Sequence, residues 1–148
     1  MSSLLIIGGS GFFGKSILDA YHRGRLEKWH ITRIVIFSRN ARSLTISNPE
    51  LISESVSLIN GDISTCDSLP KADYIIHAAA SSDAAKYISS PEIEKKNILS
   101  GTTNFCGLIS SQEDKKPKIL YVSSGAVYGA SSRDGMPFSE SNKFMPLG

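Results

Sequence analysis

Gly8, Gly11 and Gly14 stand at Gly-x-x-Gly-x-x-Gly spacing directly after the apolar run Leu4, Leu5, Ile6 and Ile7. The chemistry this spacing suits is the holding of a diphosphate. Gly8 suits a tight turn, Gly11 lets a phosphate approach the backbone, and Gly14 lets a following helix pack closely on the strand. Phe13, Ile17 and Tyr21 recur every four residues, which predicts a helix ending near Gly24. That helix would aim its free N–H groups and positive dipole end at the anion. By itself the spacing also marks ordinary loops. A buried strand before it and an amphipathic helix after it make a dinucleotide site the better reading.

Two further groups carry chemistry. Ser38 and Arg39 close the apolar stretch Arg33–Ser38, which reads as a second strand. In a dinucleotide-binding fold this strand end lies beside the adenosine ribose, where an acidic residue would hold the 2′-hydroxyl. A carboxylate would repel a 2′-phosphate, whereas a hydroxyl and a guanidinium would hold one. The pair therefore favours NADP over NAD; the alternative is a solvent-exposed arginine after a strand. His77 sits in the run Asp73–Ala80. Its two readings are a catalytic or metal ligand and a core histidine with a satisfied hydrogen bond. No second ligand residue stands nearby, which favours the core. Ala78, Ala79 and Ala80 imply close approach of something bulky to the backbone, either a cofactor or a tightly packed helix.

The elements that must position these residues alternate strand and helix. Val56–Ile59 reads as a third strand, Asp73–Ala80 as a fourth with its exit, and Ile119–Ser123 as a fifth. Ala41–Ser55 is polar, with a turn at Asn48-Pro49 and a short helical turn over Pro49–Ile52. Ile63–Ala72 is too short for a crossover helix with its loops, since a parallel connection takes a dozen or more residues. A clipped turn is expected there, with Leu69 pointing inwards. Ser90 is the expected N-cap of the longest helix, Pro91 to about Ser111, with Pro91 fitting its first position and Glu92 and Glu94 complementing its dipole. Ile98, Thr102, Phe105 and Ile109 form its inward stripe. Gly101 should cost ~1 kcal/mol relative to alanine, which implies close packing. Ala130–Gly148 shows no clear period, and loops of that length are often functional or disordered.

Five short strands alternating with helices predict an α/β fold, a Rossmann-type doubly wound parallel sheet ordered 3-2-1-4-5. The chain has 148 residues, 41% of them hydrophobic, enough for one domain with a core. A net charge of +2 with scattered basic residues argues against nucleic-acid binding. The dense basic group Lys115, Lys116 and Lys118 reads as a solvated turn. Cys66 and Cys106 lack metal-ligand spacing and read as free thiols of a reducing cytoplasm. The four-residue N-terminal apolar run is neither a signal peptide nor a membrane span. No metal site and no membrane association are expected.

With these residues in place the chain resembles the N-terminal part of the extended short-chain dehydrogenase/reductase family, the NAD-dependent epimerase/dehydratase group that acts largely on nucleotide sugars. The matching motifs run in order: GGSGFFG at Gly8–Gly14, GDI at Gly61–Ile63, HAAA at His77–Ala80, Asn97 with Gly101-Thr102, and SSGAVYG at Ser123–Gly129. The loop MPFSES at Met136–Ser141 resembles the family's Pro-x-x-Glu segment. The resemblance implies that the glycine turn with Phe12 and Phe13 cradles the pyrophosphate. Asp62 and Ile63 would flank the adenine, and Ala78, Ala79 and Ala80 would line ribose and diphosphate. Asn97 lies where the family's helix asparagine supports the active site, and Asn97 and Ser123 are both implied to border the cofactor. Ser124 matches the catalytic serine or threonine that hydrogen-bonds the substrate oxygen being oxidised. A homodimer built partly on the helix from Pro91 is implied as well, as is a nucleotide-sugar substrate; the cytoplasmic location is expected from the free thiols instead.

The family's chemistry also needs a Tyr-x-x-x-Lys pair, whose phenolate takes the substrate's hydroxyl proton during hydride transfer. Tyr21, Tyr74, Tyr87, Tyr121 and Tyr128 have Arg25, Ala78, Pro91, Gly125 and Ser132 four residues on. The expectation is therefore an incomplete N-terminal NAD(P)-binding domain over residues 1–148, without the later strands and substrate domain, that turns over nothing alone. The expectation of a different class is a non-catalytic NAD(P)-binding sensor or scaffold module.

Overall fold

In the computed structural model, which describes residues 1–80, 84–113, 116–129 and 137–146 (without the side chains of 84 and 86), the sheet is built outward from its first strand. That strand, β1 (Ser2–Ile7), is central because Leu4, Leu5, Ile6 and Ile7 are all almost fully buried. A strand covered on both faces must be apolar at successive positions. It pairs in parallel with β2 (Ile31–Ser38) on one side, and with β4 (Tyr74–His77) on the other. β3 (Val56–Asn60) lies outside β2, and β5 (Lys118–Tyr121) outside β4. The order is β3-β2-β1-β4-β5, all parallel, as the alternation of elements predicts.

Strand periodicity divides the core into two layers. Leu4 and Ile6, with Ile34 and Ile36 of β2, face one layer, which α1 (Phe12–His22) covers through Leu18. Leu5 and Ile7, with Val35 and Phe37, face the other, which α4 (Pro91–Ser110) covers through Phe105 and Ile109. The remaining helices are the short α2 (Leu44–Ser47) and α3 (Ala84–Ser89).

Three sequence readings are corrected. Phe13 is more than half exposed, so the inward face of α1 is Gly14, Ile17, Leu18 and Tyr21 rather than a stripe starting at Phe13. The polar stretch after β2 contributes core, because Ala41 and Leu44 are completely buried and Leu51 nearly so. Lys116 is more than part of a solvated turn: its ammonium donates to the carbonyls of Ile109, Ser110 and Gln112 and so closes the end of α4.

Other expectations hold. Residues 63–72 contain no helix among the described elements, and Leu69 packs onto the second layer. A Cβ on Gly101 would stand 3.2 Å from Ile63 Cγ2, the close packing its presence in a helix implied. Both cysteines are free. Lys115, Met136 and the rest of 130–136 lie outside the described residues.

Candidate cofactor and substrate-binding edge

The helices α1 and α4 leave β1 and β4 toward opposite faces of the sheet, so the carboxyl ends of these two strands border the crevice where open α/β sheets bind ligands. The glycine turn fills one side of that crevice. Gly8 adopts φ +83°, a left-handed conformation that favours glycine. A Cβ there would stand 2.6 Å from the Ala78 carbonyl oxygen and 2.7 Å from Ala79 Cα. What comes close to the alanines is therefore the turn itself. Small side chains after His77 let the exits of β1 and β4 touch, and the Ala78 N–H donates to the Ile7 carbonyl at 2.8 Å.

The three glycines do different jobs. At Gly14 a Cβ would collide with the Gly9 carbonyl, so this glycine serves helix-to-turn packing. At Gly11 a Cβ would meet only Gly8 O, at 3.4 Å, an ordinary contact. Gly11 is also the N-cap of α1, where no side chain caps the helix and no acidic residue occupies the first turn. The first N–H groups of α1 are thus left for an anion, beside the glycine with open space around it.

At the end of β2 the Ser38 hydroxyl donates to Ser10 Oγ at 2.9 Å, tying the glycine turn to the strand. Ser10 lies within the GGSGFFG run, but its partner Ser38 is revealed only by the fold. Arg39 is exposed and its charge helps hold the Asp62 carboxyl below its usual range. The larger causes of that lowering are the Ser64 N–H and hydroxyl, which donate to Asp62 Oδ1 at 2.9 and 2.7 Å. Arg42 lies one turn beyond, its N–H donating to Asn60 Oδ1. Asp62 and Arg39 thus sit together where the adenosine end of a dinucleotide would lie. The Ile63 side chain goes instead into the core, leaving only its backbone for a ligand.

His77 is buried, and burial pushes its pKa below the ordinary histidine range. Its ring stacks on Tyr121 at 4.8 Å and meets Phe105 edge-on at 4.8 Å, while Nε2 has no hydrogen-bond partner among the described residues. It is a core histidine, as expected, with its Nε2 left without the hydrogen bond that was expected to satisfy it. Tyr121 in turn shares a 2.8 Å hydrogen bond with Thr102 of α4.

The exit of β5 runs alongside that of β4, since the Val122 N–H donates to the His77 carbonyl at 2.9 Å. Ser123 and Ser124, both exposed, therefore emerge at the same edge as the glycine turn. Ser124 caps the 3-10 turn Gly125–Tyr128, with Oγ accepting from the Ala126 N–H at 3.2 Å. That bond uses a lone pair and leaves the hydroxyl proton free to donate. Tyr128 packs between Phe138 and Phe144, each 5.4 Å away, and the Met145 N–H bonds the Val127 carbonyl. Asn97 is exposed on α4, with no side-chain hydrogen bond among the described residues, and Ala80 is also exposed. Two surface concavities border this edge, one along α4 from Lys95 and Leu99 to Asn104 and Ser64, the other between the first turns of α1, at Phe12 and Lys15, and Leu51. No helix among the described residues is long and apolar enough to cross a membrane.

The sequence profile of the NAD dependent epimerase/dehydratase family matches residues 4–148. No curated protein sequence matches significantly. Among solved structures, a dTDP-glucose 4,6-dehydratase from Streptomyces venezuelae, with NAD and TYD bound, is 21% identical with a TM-score of 0.79, covering 97% of this chain and 45% of that one. The UDP-Glc/GlcNAc 4-epimerase of Campylobacter jejuni is 22% identical with a TM-score of 0.76, covering 99% of this chain and 44% of that one. A UDP-N-acetylglucosamine 4-epimerase from Methanobrevibacter ruminantium, in complex with UDP-N-acetylmuramic acid, is 24% identical with a TM-score of 0.75, covering 98% and 44%. These likenesses support the fold, and this chain spans less than half the length of each structure. With its profile matched from the first strand onward, the chain belongs to the NAD-dependent epimerase/dehydratase family.

Proposed function

We propose that this chain forms the cofactor-binding half of a nucleotide-sugar epimerase or dehydratase, holding a nicotinamide dinucleotide across the carboxyl edge of its sheet. The observation that carries this reading is the junction of Gly8 with Ala78 and Ala79, beside an α1 N-terminus that no side chain among the described residues caps. When bound, the nicotinamide supplies hydride exchange with a sugar carbon. The residues of the chain orient and polarise. The N–H groups of the first turn of α1 take the diphosphate, with Phe12 and Phe13 standing exposed beside them. Asp62 offers carboxylate lone pairs to the adenine amine, and the Ser64 N–H and hydroxyl hold that carboxyl below its usual range. The exposed Arg39 guanidinium suits a 2′-phosphate, while Ser38 gives its one hydroxyl proton to Ser10, so Arg39 carries the assigned preference for NADP over NAD. Ser124 donates its free hydroxyl proton to the substrate oxygen.

No tyrosine of the 148 residues has lysine four positions on. This chain alone is therefore expected to bind cofactor weakly and to turn over nothing. The same observation favours, as a second reading, a module that binds NAD(P) without chemistry. Both readings share the dinucleotide site, which an amide-resolved NMR titration with NADP tests. Saturable shifts should gather at Gly8–Gly14, Ser38–Arg39, Asp62–Ile63 and Ala78–Ala79. Shifts confined to the outer face of α4 would refute the placement. Epimerase or dehydratase turnover by this chain would refute the assignment of inactivity.

A further inference from the structure

The connection from β3 to β4 is short, has no helix among the described elements, and carries Asp62 at its start. Residues 62–66 close on themselves: the Thr65 and Cys66 N–H groups donate to the Asp62 carbonyl at 3.1 and 2.9 Å. A turn closed only on itself would be free to swing, since its outward carbonyls have no ladder to join. One side chain supplies what is missing. Asn104, half-buried on α4, donates both protons of its Nδ2 to this turn, to Ile63 O at 2.9 Å and Cys66 O at 2.8 Å. One helical turn earlier, Gly101 lets α4 close onto Ile63, and one residue later Phe105 packs in the same core layer as Ile63.

We propose that Asn104 is the positioning residue for the adenine end of the cofactor site: from behind the sheet, it fixes the 62–66 turn so that the Asp62 carboxylate stays at the carboxyl edge. This inference rests on the dinucleotide reading above and adds to it a residue that touches no ligand. Asn104 belongs to neither the glycine turn nor the Ser124 loop, so its effect should be confined to the adenine end. Aspartate at this place keeps the shape, removes both donors and sets a negative charge against two carbonyl oxygens.

The test is calorimetric or NMR titration of the wild-type chain and of Asn104→Asp with two probes, ADP and inorganic pyrophosphate. The expected result is an ADP Kd raised about tenfold, with the pyrophosphate Kd unchanged within about twofold. Asn104→Ala serves as a second variant, read in the same way, should the aspartate fail to fold. An unchanged ADP Kd in a wild-type chain that binds ADP would overturn the role of Asn104 and leave the dinucleotide site standing. Equal weakening of both probes would show general loosening and overturn it too. A wild-type chain that binds neither probe would overturn the dinucleotide site itself, and this inference with it.

Discussion

The two sides of the carboxyl edge are built differently. On the glycine-turn side, β1, β2 and α1 bury Leu4, Ile6, Ile34, Ile36 and Leu18 almost completely, and backbone contacts lock the turn against Ala78. On the Ser124 side, every residue of β5 is exposed, including Ile119, Leu120 and Tyr121, and among the described residues β5 pairs only with β4. What holds that side in place is a few specific contacts: the stack of Tyr121 on His77, its bond to Thr102, and the Tyr128 cluster. The difference teaches that the proposed cofactor cradle is a property of the core, whereas Ser124, proposed to meet substrate, stands on a thin, exposed layer.

The contrast is broken most forcefully through the core. Leu18→Ala should cost about 2–5 kcal/mol, because it empties a closed site between α1 and the sheet. Leu120→Ala, on the exposed strand, should stay within about 0.5 kcal/mol. Urea unfolding of both variants checks this, and equal losses would erase the distinction between the two sides.

A smaller effect separates the two sides by pH. His77 is held neutral by burial, so the unfolded chain binds a proton that the folded chain resists. Stability from this site is full above the ordinary histidine pKa of about 6.5 and falls as pH drops below it toward the depressed folded value. His77→Phe keeps an aromatic ring between Phe105 and Tyr121, removes the unpartnered Nε2, and should flatten that fall. Unfolding midpoints measured at several pH values read it out, and an unchanged slope would show that His77 titrates freely in the folded chain.

The smallest expected effect concerns cofactor choice. Arg39→Asp should move the ratio of NADP to NAD affinity toward NAD and leave stability almost unchanged, since Arg39 is exposed. An unchanged ratio would make Arg39 a bystander.

Much of this was legible in the residues, and the reasons are local. The run Leu4–Ile7 is apolar at every position because two helical layers cover it, so its central place could be read directly. Gly101 advertised close packing because glycine is costly inside a helix, and Ile63 is what it packs against. Ala41 and Leu44 were missed because a short helical segment buries isolated residues without showing a period. Phe13 was misplaced because the four-residue spacing that includes it also fits the neighbouring face of α1. Ser10 and Asn104 could not be found from composition at all. Each acts through one hydrogen-bonding group on a partner distant in sequence, Ser38 in one case and Ile63 with Cys66 in the other. Such pairings exist only once the topology brings the partners together.

The central claim, that the glycine turn is a phosphate cradle and not merely a tight connection, is tested most directly at Gly11. Its backbone is at φ −83° and its Cβ position is open apart from Gly8 O, so the fold should accept a side chain there. At Gly14 the Gly9 carbonyl forbids one. NADP affinity measured on folded Gly11→Val should fall by at least about tenfold while the unfolding midpoint stays close to wild type. Retained NADP affinity in that folded variant would contradict the account.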